Sequence, residues 1–177
     1  MKTTPSFLLI ILLVFASCSN KPSLQKYFVE NTENKNFIAL DISPSILNIE
    51  KDSLTEEQQT ALASFDKMNI LAFKLTKDYK ELYEVENAKL NAILKEEKYQ
   101  QLMKLSMGSS AASVSFIGDD DHIDEFILYT KRKENGFAVI RVLGKDMNAN
   151  NIMSLIQIIQ KSNLDMEQLK PLQQLMK

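Results

Sequence analysis

The chain has one cysteine, Cys18, and one histidine, His122, among 177 residues. A single thiol excludes an intrachain disulfide framework. A hydrolytic triad or a histidine-rich metal site would have to rest on His122 alone. The serines at 106, 109, 110 and 113 lack the Gly-x-Ser-x-Gly setting of a nucleophile elbow. Glycine and proline number four each, too few for a low-complexity chain or a long flexible linker. Neither sign of charge dominates: 21 Lys and Arg stand against 23 Asp and Glu, a formal net charge of −2. That balance leaves no basic stripe for nucleic acid and no polybasic patch for anionic lipid. The chain is therefore expected to have no nucleic-acid partner, no cofactor, no metal and no enzymatic activity.

What is present begins with the apolar run from Phe7 to Phe15, preceded by Lys2 and followed by Ala16-Ser17-Cys18. It falls short of the roughly 20 residues of a membrane-spanning helix and fits the apolar region of a secretory signal. Phe15-Ala16-Ser17-Cys18 resembles a bacterial lipobox, with Phe15 where leucine is most common. In such a motif the cysteine sulfur takes a diacylglycerol, the signal is cut before the cysteine, and the new amino terminus is acylated. The alternative is an ordinary signal peptide cut near Ala16-Ser17, but that leaves an unpaired thiol in an oxidising compartment. The expected organisation is a signal peptide over 1–17, a lipidated tether over 18–23 and a single α+β domain over 24–177. Two or three acyl chains anchor stably at about 0.8 kcal/mol per buried CH₂, so Cys18 would attach the protein to a membrane through palmitate-type chains. The leader holds one base, Lys2, and no acid, so its removal takes the formal charge from −2 to −3.

Hydrophobic periodicity outlines the domain. Leu24, Tyr27 and Phe28 predict a helix over 23–31, and 36–42 reads as a first strand stopped by Ser43-Pro44. An apolar turn follows at Ile46, Leu47 and Ile49. Ser53 and Glu56 form an expected capping box, opening a helix with Ala61, Leu62 and Phe65 on one face. Residues 68–75 predict a second strand. A helical tract is expected from Asp78 to Leu105, broken near 95–98, with Leu102 and Met103 on its apolar stripe. Runs at 112–117, 123–131 and 137–143 predict an antiparallel meander, its last turn made by Asn135-Gly136. Helices are expected near 152–159 and 165–176. The sum is an α+β fold: a mixed sheet of about five strands with a C-terminal antiparallel meander, packed against several helices.

The block Gly136-Phe137-Ala138-Val139-Ile140-Arg141-Val142-Leu143-Gly144-Lys145-Asp146-Met147-Asn148, with the lipobox and the Leu94–Met103 segment, resembles the bacterial lipoprotein family called domain of unknown function 4252. The resemblance covers most of the mature chain. It implies a small envelope lipoprotein of Gram-negative bacteria, without an assigned activity and without functional residues to carry over. Some relatives lie near genes of extracytoplasmic sigma factors, an envelope-stress context. Ser19 and the absence of acid from 19–23 are compatible, by resemblance to lipoprotein sorting, with an outer-membrane location facing the periplasm.

Three features carry candidate chemistry. Asp119-Asp120-Asp121-His122-Ile123-Asp124-Glu125 offers carboxylates and an imidazole. It lacks the glycine and closing glutamate of an EF-hand loop, so a solvated turn is expected there. Arg141 lies inside an apolar strand, where its charge must be paired or solvated. It is read either as a cross-strand ion pair with Asp124 or Glu125 or as a guanidinium that recognises a ligand. The apolar residues at 152–159 either cover a sheet face or dock a partner. The expected function is a membrane-tethered, non-enzymatic interaction or sensory module of the cell envelope, with a possible envelope protein partner. An apolar-ligand or lipid-binding protein is the alternative, and an uncharacterised enzyme the second alternative.

Overall fold

The structure, a computed structural model, describes residues 21–47, 49 and 53–161. The expected signal peptide, Cys18 and the helix expected near 165–176 lie outside the described residues. Helix α1 (Leu24–Asn31) opens at Ser23, whose hydroxyl accepts from the Lys26 amide. Strand β1 (Phe37–Ile42) follows, then a 3₁₀ turn over Pro44–Leu47. Helix α2 (Glu56–Ser64) runs directly into β2 (Phe65–Lys74), and α3 (Lys80–Ile93) follows. Four strands come next: β3 (Gln100–Met107), β4 (Ser110–Asp119), β5 (His122–Arg132) and β6 (Gly136–Met147). Helix α4 (Ala149–Lys161) closes the described chain. Among the described residues no helix is long and apolar enough to cross a membrane.

The α+β class is as expected, and the sheet is larger and more regular than the sequence suggested. It has six strands in the order β1-β2-β6-β5-β4-β3. Every pair is antiparallel, so the expected mixed sheet is corrected to a purely antiparallel one. Helices cover both faces. On the first face α1 and α3 bury Leu24, Tyr27, Tyr83 and Leu90 against Leu71, Phe73, Ile127 and Val139. On the second, α2 and α4 bring Ala61, Leu155 and Ile158 onto Phe65, Phe126 and Val142. Phe37, Phe73 and Phe137 are register partners on the three adjacent strands β1, β2 and β6. Their rings meet edge-on at 5.2 Å and stacked at 5.5 Å, contacts worth about 0.5–1.5 kcal/mol each beyond burial.

Three local expectations are overturned. The tract to Leu105 is not helical throughout: α3 ends at Ile93, and Leu102 and Met103 lie on β3. Met103, Leu105 and Met107 alternate with Lys104 and Ser106, a period of two that pairs with β4. The capping box sits two residues later than expected. Thr55, not Ser53, caps α2, with reciprocal 3.2 Å bonds to Gln58. Glu56 and Glu57 then occupy the first turn, where the helix dipole favours acid. Phe65, expected on that helix, begins β2.

The Asn135-Gly136 turn is also different. The β5–β6 connection is Lys133-Glu134-Asn135, closed by the Asn135 amide on the Arg132 carbonyl at 3.1 Å. Gly136, at φ +122, is already in β6. A Cβ there would lie 1.9 Å from the Phe73 carbonyl oxygen, so the glycine permits the close approach of β2. Two-residue turns of the meander lie instead between β3 and β4, at Gly108-Ser109 with Gly108 at φ +58, and between β4 and β5, at Asp120-Asp121.

Candidate functional site

Arg141 and Glu125 stand on neighbouring strands of the first face, beneath α1. Arg141 Nε donates to Glu125 Oε1 at 2.6 Å and its Nη2 to Oε2 at 2.9 Å, a bidentate pair. Its Nη1 donates to Gln25 Oε1, and the guanidinium lies 5.3 Å from the centre of the Phe28 ring. Both charged side chains are buried. The partner is Glu125 and not Asp124, because Arg141 registers with Ile127 and strict alternation puts Glu125 on the face of Ile127 and Asp124 on the opposite one. Each of the three guanidinium nitrogens donates to a protein oxygen, and the cluster clamps α1 to the sheet.

A second polar network fastens α3. Tyr27 donates to Glu86 Oε2 at 3.0 Å, and Lys89 Nζ lies 2.6 Å from Oε1. Burial, then the Glu86 charge, pushes the Tyr27 hydroxyl far above its ordinary value. Tyr129 donates to Asn87 Oδ1, and burial pushes it up to about 12, so it is a neutral donor. Asn91 Nδ2 donates to the Asn87 carbonyl at 2.6 Å.

Beyond Tyr129 the helix no longer covers the sheet. A groove of about 550 Å³ opens between α3 and the β3–β4–β5 end. Its floor is Ala111, Ser113 and Ser115, alternate residues on one side of β4. Short side chains at period two leave this volume empty. Lys95, Lys104, Lys131 and Lys133 stand around it, with Glu84 as the carboxylate. Apolar groups, Leu94 and the Tyr83 and Tyr129 rings among them, share the lining with the serines and lysines.

At the sheet's edge lies β3, paired on one side only, to β4. All eight of its residues are exposed. Leu102, Met103, Leu105 and Met107 are each half or more exposed, Met107 by 68%. Met103, Leu105 and Met107 register with Val114, Ala112 and Ser110, and Lys104 with Ser113. The strand therefore presents apolar groups on the second face and Lys104 on the groove face.

The other sequence candidates are spread out. Asp119 ends β4 and Asp120-Asp121 form the exposed β4–β5 turn, and His122 Nδ1 meets Asp146 Oδ1 at 3.0 Å on the surface. Among the described residues no group of three or more His, Cys, Asp or Glu is placed to hold a metal ion. In α4, Leu155 is buried on the second sheet face and Ile152 partly so. Sequence reasoning missed both the groove and the open edge. The available signals were the small residues at every second position of 111–115 and the apolar alternation of 103–107.

No curated protein and no solved structure matches the chain. A family model does, over residues 27–155, from within α1 to within α4. The match takes in the Arg141 clamp on β5 and β6, the groove and the whole sheet, and the chain belongs to the family described as Domain of unknown function (DUF4252).

Proposed function

We propose that this protein is a membrane-tethered, non-enzymatic interaction module of the cell envelope that binds an extended segment of a partner protein along β3. The observation that carries the reading is the edge itself. It is an eight-residue strand with one side unpaired and large apolar side chains in solvent. Native proteins usually shorten, charge or cover such edges, because free main-chain donors and acceptors recruit another strand. Here Lys104 is the strand's one charge. Strand addition takes affinity from main-chain bonds and specificity from alternate side chains. The matching segment alternates apolar residues, toward Met103, Leu105 and Met107, with acidic residues, toward Lys104.

The tether belongs to the same reading. The apolar run 7–15 and Cys18 support a lipid anchor, and Ser19 supports an outer-membrane location facing the periplasm. The segment from Lys21 to Ser23 leads straight into α1, so an anchored Cys18 holds the domain close to the bilayer.

A photo-crosslinking residue at Leu105 or Met107 tests the proposal in intact envelopes. Both positions should give one discrete protein adduct, lost on Met103→Asp, while Val29 on the exposed side of α1 gives none. Adducts only to a second copy of the chain, or none at β3, would overturn it.

A further inference from the structure

We propose that the groove between α3 and the β3–β4–β5 end of the sheet binds a small anionic polyol, a molecule with one phosphate or carboxylate and several hydroxyl groups. Its charge is one-sided: Lys95, Lys104, Lys131 and Lys133 against Glu84. None of the four lysines has an ion-pair partner among the described residues. Like charges around one concavity focus a field that concentrates anions there.

The floor supplies the second, independent observation. Ser115 is 6% exposed and lines the groove, yet its hydroxyl makes no hydrogen bond within the protein among the described residues. The side-chain atom that is both buried and unpartnered among the described residues is Asn36 Oδ1, so the Ser115 hydroxyl is open to the groove and free to bond a ligand there. Asn87 adds to it: its Oδ1 accepts from Tyr129 and Asn91, which leaves its own N–H donors for the groove. Neutral donors and acceptors below a rim of lysines match hydroxyl groups below an anionic group. A volume of about 550 Å³ falls within the roughly 300–1,000 Å³ of small-molecule sites. The anionic polyol has two sources, a free sugar acid or sugar phosphate, or the headgroup of phosphatidylglycerol.

The test is calorimetric titration of the full chain in detergent with glucose 6-phosphate, glucuronate and glucose, and a flotation assay of the Cys18→Ala chain in which binding is the excess on phosphatidylglycerol over phosphatidylcholine vesicles. At least one anionic sugar should bind saturably with a Kd below about 1 mM, and glucose at least ten-fold more weakly. Lys95→Glu with Lys131→Glu should cost at least ten-fold, and Ser115→Ala a few-fold, with circular dichroism unchanged. Vesicle binding that glycerol 3-phosphate competes away and the lysine pair abolishes assigns the polyol to the headgroup. Sugar binding without a vesicle effect assigns it to a soluble source. The proposal fails if none of these probes saturates, or if the charge reversals leave binding intact. None of these substitutions lies on β3, so the outcome is separate from that of strand addition.

Discussion

Replacing Glu125 by leucine would strip the Arg141 guanidinium of both its carboxylate bonds while it stays 4% exposed beneath α1. Gln25 and the Phe28 ring would remain. A charge-assisted hydrogen bond contributes about 1.5–3 kcal/mol, and a desolvated cation–π contact retains up to about 2 kcal/mol. Breaking a buried pair from one side costs about 3–5 kcal/mol, and Glu125→Leu belongs near the middle of that range. A guanidinium does not shed its charge, so the loss should be flat between pH 5 and 8.

The reverse change, Arg141→Leu, orphans a carboxylate that has no other hydrogen-bond or ion-pair partner among the described residues. That group can take a proton. In the variant, the folded state then binds protons more readily than the unfolded chain, so stability rises as pH falls. The loss should be about 4 kcal/mol at pH 8 and clearly smaller at pH 5. Removing both charges, Glu125→Leu with Arg141→Met, should fall between neutral and about 4 kcal/mol more stable than the native pair. Urea denaturation at pH 5, 6.5 and 8, with unchanged m-values, measures all three. A Glu125→Leu loss under about 1 kcal/mol, or a double variant as unstable as the single ones, would refute the buried-clamp reasoning.

Gly136→Val should destabilise by about 2–3 kcal/mol, because the added Cβ meets the Phe73 carbonyl and φ is +122; an unshifted thermal midpoint would contradict the close β2–β6 approach. Tyr27, Tyr83 and Tyr129 all titrate above the ordinary 10.0. Their stabilising contribution is therefore complete below pH 10 and is lost as pH climbs from there toward 12 and beyond. Phenolate absorbance should accordingly lag behind free tyrosine until the fold melts, and a normal titration of all five tyrosines in the folded protein would oppose this. Cys18→Ala should abolish palmitate labelling and release the protein from the membrane fraction. Protease added to intact cells should leave the native chain uncut while permeabilised cells lose it, and retained label or digestion in intact cells would count against the tether or its orientation.

Much of the fold was legible in the residues. Leu24, Tyr27 and Phe28 marked α1, and the apolar runs at 112–117, 123–131 and 137–143 marked three strands of the meander. The fourth, β3, was hidden because Leu102, Met103 and Leu105 satisfy a helical stripe almost as well as a period of two. Which pattern wins depends on pairing with β4, a non-local choice. Gly136 was recognised as special for the wrong reason: its constraint is the Phe73 carbonyl on β2, distant in sequence, and not a two-residue turn. Arg141 stood out because a charge within an apolar strand needs a partner. Its choice of Glu125 over Asp124 follows the alternation of β5, in which Glu125 shares a face with Ile127 and Tyr129 and Asp124 falls with Phe126 and Leu128. The groove was illegible because it is made by where α3 stops covering the sheet, not by any motif.

Backbone amide exchange along Gln100–Met107 tests most directly whether β3 is a docking strand. The full chain would be measured alone and with an eight-residue peptide alternating glutamate and valine. Alone, the amides that do not bond to β4 should exchange rapidly. With the peptide, the same alternate amides should slow at least ten-fold, and a peptide alternating lysine and valine should protect them far less. Unchanged exchange at saturating peptide, or protection confined to other strands, would contradict strand addition at this edge.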